Sequence, residues 1–93
     1  MRVEWQAAAL VNLADILDDI SEESPQGAAK LSAEIQSKTA RLEINPNLYR
    51  AGRERGTREC VVTENYLLVY RVAGDTVQIV RLLHTRRQWP ESK

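Results

Sequence analysis

Three apolar runs decide the fold: Thr57-Arg-Glu-Cys-Val-Val-Thr63, Tyr66-Leu-Leu-Val-Tyr-Arg-Val72 and Thr76-Val-Gln-Ile-Val-Arg-Leu-Leu83. Only Glu64-Asn65 and Ala73-Gly-Asp75 interrupt them, and both breaks carry hairpin chemistry, because Asn, Asp and Gly tolerate the positive φ of short antiparallel turns. The runs are rich in Val, Ile, Leu, Tyr and Thr and hold no Pro, so they read as a β-meander in which any strand can be central. Arg58, Arg71 and Arg81 lie inside these strands. A guanidinium in a sheet must find a carboxylate, reach water or face a partner, since burying it unpaired is costly.

Upstream, Met1-Arg-Val-Glu-Trp5 alternates with period two and predicts a short strand added to the meander, its register weakly fixed. From about Gln6 the period lengthens. Ala9, Leu10, Leu13, Ile16, Leu17 and Ile20 form the stripe of an amphipathic helix, with Asp15, Asp18, Asp19, Glu22 and Glu23 on its outer face and at its end. Acid at a helix C-terminus opposes the dipole by a few tenths of a kcal/mol each, roughly. It is either a neutral accident or a surface kept acidic for a basic neighbour.

Ser24-Pro25 predicts an immediate second start, Ser as N-cap and Pro at the first helical position. Ala28, Leu31, Ile35 and Leu42 carry its apolar stripe, and Asn45-Pro46-Asn47 ends it. So short a link makes the two helices an antiparallel hairpin. The following Leu48-Tyr-Arg-Ala-Gly-Arg-Glu-Arg-Gly56 reads as the least globular segment, either a flexible loop or a contact to phosphate or acidic peptide. Trp89, in the tail after Leu83, either packs back on the domain or waits for a partner.

The expected architecture is therefore α+β: a short N-terminal strand, an antiparallel helical hairpin, then a three-stranded antiparallel meander. Ninety-three residues are expected to form one domain, 1–93, burying roughly 60 to 65% of the unfolded surface. Cys60 is the single cysteine, so no internal disulfide forms, and no Cys or His pair has zinc-ligand spacing. No cofactor or metal is expected. With no run near the ~18 apolar residues of a membrane span and no signal-peptide pattern, a cytoplasmic protein without membrane contact is the expectation.

Net charge is zero, yet it is unevenly placed. Residues 1–44 hold 4 Lys+Arg against 8 Asp+Glu, while residues 45–93 hold 9 against 5, and eight of those nine cations are Arg. Arg suits bidentate recognition of phosphate and carboxylate, which points the second half toward an anionic partner, although scattered surface Arg gives the same count.

The order strand, helical hairpin, Asn-Pro loop and three strands resembles the RelE/ParE superfamily of type II toxin-antitoxin toxins, most closely the ParE branch. Gly56-Thr-Arg-Glu59, Asn65-Tyr-Leu-Leu-Val-Tyr-Arg-Val72 and His84-Thr-Arg-Arg-Gln-Trp-Pro90 carry the resemblance. It implies a small toxin neutralised by a cognate antitoxin, expected to bind through an acidic, partly disordered segment that folds on contact. ParE-type members are associated with inhibition of DNA gyrase, and RelE-type members with ribosome-dependent cleavage of messenger RNA. Sequence-specific DNA binding is not expected of the toxin alone.

Superfamily nucleases such as YoeB place an Arg directly before the Leu-Val-Tyr of the central strand, where this chain has Leu67. The Lys pairs of RelE are also absent, since the only Lys after Lys38 is Lys93. The resemblance thus favours a non-enzymatic gyrase inhibitor over the alternative, a RelE-like endoribonuclease in which His84 would move protons and Arg81 would hold phosphate. Residues expected to bind target or antitoxin are Arg50, Arg53, Arg55, Arg58, Arg81, His84, Arg86, Arg87 and Trp89.

Overall fold

A computed structural model describes residues 1–86. Arg87 and Trp89, both expected to bind target or antitoxin, lie outside the described residues. The elements run β1 (Arg2–Trp5), α1 (Ala7–Glu23), α2 (Pro25–Ile44), β2 (Arg50–Ala51), β3 (Arg58–Thr63), β4 (Tyr66–Ala73) and β5 (Thr76–His84). The strands form one sheet of order β1-β5-β4-β3-β2. Strands β3, β4 and β5 are the expected antiparallel meander, and β1 adds to β5 in parallel, with Arg2 opposite Thr76 and Trp5 opposite Ile79.

Ser24 alone separates the helices. Its backbone N–H closes α1 on the Ile20 carbonyl at 2.7 Å, and its hydroxyl accepts from Gly27 N–H at 2.9 Å to open α2. The return of α2 is antiparallel, because its C-terminal end meets the chain start: the Met1 ammonium donates to the Glu43 carbonyl at 3.0 Å. Both helices cover one sheet face. Ala9, Leu31, Ile35 and Leu42 pack there against Cys60, Val62, Leu68, Tyr70, Val77, Ile79 and Leu82. A second cluster, Leu67, Val69, Val80 and Leu83, lies on the opposite face, which is why β4 and β5 read as nearly unbroken apolar runs.

Three details depart from the expectations. Leu10 is not in the core stripe: it is 50% exposed, and Leu13, Ile16, Leu17 and Ile20 do the packing. A stripe defined by i+3 and i+4 steps cannot tell which of two neighbouring residues, Ala9 or Leu10, sits at its edge. Among the described residues no non-glycine takes positive φ, so the Glu64-Asn65 turn closes differently, with Asn65 N–H donating to the Thr63 hydroxyl at 3.2 Å beside a register shift. Gly74 supplies positive φ, 61°, in the other turn. Third, residues 48–56 are not a structureless loop but contain β2, paired with β3.

A bulge in β5 sets the placement of its charged residues. Val69 opposes Arg81 while Tyr70 opposes Ile79, leaving Val80 as the extra residue. Opposed residues share a face, so Arg50, Glu59, Val69 and Arg81 form one row across the sheet on the side away from the helices. His84 opposes Tyr66 and falls on the helix side.

Burial raises the pKa of the Tyr70 phenol, although the Arg58 charge draws it partly back, and burial likewise raises Tyr49 and the Cys60 thiol. The folded state therefore favours the neutral forms of all three. Their folded pKa values exceed the ordinary 10.0 and 9.0, so this contribution is complete below those values and is lost as pH rises through the folded ones. Unfolding free energy measured by denaturant titration should be level up to about pH 9 and fall above it. A stability that held level to about pH 11 would contradict this.

Candidate partner-binding surface

The β2–β3 hairpin is built around one buried acid. Glu59, its side chain 1% exposed, receives Arg50 Nη2 at 3.2 Å and Arg53 Nε at 3.5 Å on Oε1, and the Arg53 backbone N–H at 3.0 Å on Oε2. A carboxylate removed from water needs such partners, and two guanidiniums plus an amide supply them. Arg50 and Arg53 keep 59% and 44% of their side chains in solvent, so each ties the hairpin together and still shows a charged surface.

The hairpin tip is equally ordered. Gly52 N–H donates to the Thr57 carbonyl at 2.7 Å, and the Thr57 hydroxyl donates to the Glu54 carbonyl at 2.6 Å. A Cβ on Gly52 would collide with the Thr57 hydroxyl, so the close approach requires glycine. Arg55 sits exposed at this tip.

Arg58, next to Glu59 in β3, points to the helix side. It finds no carboxylate there among the described residues: its Nη1 donates to the Tyr49 carbonyl at 2.8 Å. Tyr70, wholly buried, donates its hydroxyl to the Pro46 carbonyl at 2.7 Å, and its ring meets Tyr49 edge-on with centroids 6.5 Å apart. These two bonds fasten the Asn-Pro loop to the sheet. The Tyr49 hydroxyl is buried near the Cys60 thiol and the Arg41 guanidinium without a well-formed bond to either.

At the other end of the sheet, His84 lies edge-on to Tyr66 with centroids 5.3 Å apart, and its Nδ1 accepts the Arg86 N–H at 3.1 Å. An accepting Nδ1 leaves Nε2 to carry the proton of the neutral ring. Tyr66 and His84 line a cavity of about 270 Å³ with Asp15 and Asp19 of α1. Asn12 of α1 anchors that region by accepting the Leu82 N–H at 3.2 Å. Arg81 is on the opposite face, donating to the Val80 carbonyl at 2.7 Å, and Arg86 is exposed.

The expected binding residues thus fall into separate groups. Arg50, Arg53 and Arg55 share the hairpin, with Arg81 farther along the same row. Arg58 lies behind it, and His84 and Arg86 stand at the end of β5. Reading the sequence missed Glu59 as the organiser of the hairpin and Tyr49 and Tyr70 as its fasteners. An acid within an arginine-rich segment was the available signal for Glu59. Among the described residues no group of three His, Cys, Asp or Glu side chains could hold a metal ion, and no helix is long and apolar enough to cross a membrane.

A five-stranded sheet backed on one face by a helical hairpin is shared with known toxins. A chain of the chromosomal ParDE toxin-antitoxin system of P. aeruginosa superposes with a TM-score of 0.77 at 24% identity, covering 90% of this chain and 95% of that one. In sequence, Y4kP of Sinorhizobium fredii, named as a toxin candidate, is 34% identical over 91 residues, 97% of this chain and 94% of its own length. Toxin RelE2 of Caulobacter vibrioides is 33% identical over 86 residues, 92% of this chain and 97% of its own. The family model for the ParE toxin of the parDE type II toxin-antitoxin system matches residues 3–89, and the chain belongs to that family.

Proposed function

We propose that this toxin inhibits DNA gyrase and is neutralised by a cognate antitoxin whose acidic, partly disordered segment folds onto it. The observation that carries the choice of target is Leu67. At the position where superfamily nucleases hold a phosphate-stabilising Arg, its side chain is 2% exposed within the apolar cluster of Val69, Val80 and Leu83. Stabilising a pentavalent phosphate requires a cation at that point, and a buried leucine offers none. Arg81 and His84, the pair a ribonuclease would recruit, stand on opposite faces of the sheet. In-line cleavage needs its acid, base and cation around one phosphate. Both observations support a protein that acts by binding.

Induction in growing cells is the first test. DNA synthesis should stop while ribosome-bound messenger RNA stays whole. Fragmented transcripts, with fragmentation lost in His84→Ala, would instead establish the ribonuclease.

For the antitoxin, charge sets the encounter rate. Reversing Arg86 and Arg87 together to Glu should slow association by about tenfold at low salt and weaken its salt dependence, measured by stopped flow. An unchanged rate would place the acidic segment elsewhere.

A further inference from the structure

Arg58 is half-buried, carries a fixed positive charge, and has no carboxylate within salt-bridge reach among the described residues. One of its five N–H donors is held by the Tyr49 carbonyl, and Arg58 is among the residues that line a cavity of about 290 Å³. Asn47, whose side chain makes no hydrogen bond among the described residues, also lines it, with the Gly56 backbone and the apolar side chains of Ala51 and Val72. Val72 is 39% exposed although it belongs to the helix-side row of β4. Glu59, the residue next to Arg58, shows the contrast: there two arginines converge on one acid, whereas here a cation is taken partly out of water and has no counter-charge among the described residues. Such a group weakens the fold on its own and gains most when an anion reaches it.

We infer that the Arg58 cavity is the receptor for a carboxylate side chain of the antitoxin's acidic segment, with an aliphatic residue of the same segment against Val72 and Ala51. The inference rests on the reading of this chain as an antitoxin-bound toxin and assigns the place where one contact is made. Several features select a carboxylate. Among the described residues the lining holds one cation, matching a single negative charge. One edge of the guanidinium is engaged by Tyr49, and the remaining planar edge suits two coplanar oxygens. The Asn47 amide can donate to the same group, and Ala51 and Val72 offer an aliphatic neighbour of that side chain a place to pack.

The test uses the toxin chain and its cognate antitoxin, with affinity measured by titration calorimetry. Arg58→Gln should weaken binding by roughly 10- to 100-fold. Because that change also removes the bond that ties β3 to Tyr49, Val72→Glu is the decisive variant. It sets a carboxylate diagonally across from Arg58 on the same face, within reach of long side chains, so the cation finds an internal partner. Val72→Glu should keep or raise the thermal midpoint and still weaken antitoxin binding by at least about tenfold. A folded Val72→Glu that binds the antitoxin like the parent overturns the inference. So does a Val72→Glu that loses binding to a fluorescent single-stranded oligonucleotide while keeping the antitoxin, since the cavity would then serve a phosphate. If the parent itself binds no acidic antitoxin, the antitoxin reading falls and this inference falls with it.

Discussion

Leu68→Ala is expected to remove about 3 kcal/mol of stability. Leu68 has no exposed surface and lies at the centre of β4, opposite Cys60 on one side and Leu82 on the other, under the two helices. Truncation removes the transfer free energy of the lost carbons and leaves a cavity that a five-stranded sheet held on both sides cannot close. Small domains are stabilised by only about 5 to 15 kcal/mol, so the variant should be near the limit of folding at growth temperature. Val61→Ala, in the next strand but 44% exposed, is the internal comparison and should change stability by under about 1 kcal/mol. Urea titration checks both. A similar loss for the two would mean that the sheet is not packed as described.

The second large effect concerns the hairpin. Arg50→Ala with Arg53→Ala leaves the Glu59 carboxylate, 1% exposed, with only the Arg53 backbone N–H as a partner among the described residues. An ionised carboxylate stranded in this way should cost about 2 to 3 kcal/mol, with some of the penalty relieved by water entering where the side chains were. Glu59→Gln is the opposite case. It frees two guanidiniums that already keep 59% and 44% of their side chains in solvent, so the loss should be about 1 kcal/mol. The asymmetry is the prediction: removing the cations should be more damaging than removing the acid. Equal losses, or a larger loss for Glu59→Gln, would show that the carboxylate is hydrated rather than enclosed.

Much of this architecture was legible because its signals are local. Period-two and period-3.6 patterning located every long element, and Ser24-Pro25 marked the helix junction because capping chemistry depends on adjacent residues. The two-residue strand β2 was not legible, since its pairing depends on Glu59, nine residues from Arg50, drawing two arginines together. Leu10 was misplaced because helical spacing fixes the direction of a stripe but not its width. For the site, the abundance of arginine was visible, whereas its division was not. Which guanidinium meets Glu59 follows from strand register, which sets Arg50 and Glu59 on one face and Arg58 on the other, and a one-residue shift reverses the face of every side chain beyond it.

Relaxed plasmid supplied to purified gyrase with ATP tests the central claim most directly. Added toxin at micromolar concentration should suppress supercoiling, and an equimolar amount of the antitoxin should restore it. Supercoiling that proceeds unchanged with folded toxin present would contradict the claim, and cleavage of ribosome-bound transcripts by the same preparation would replace it with the nuclease reading.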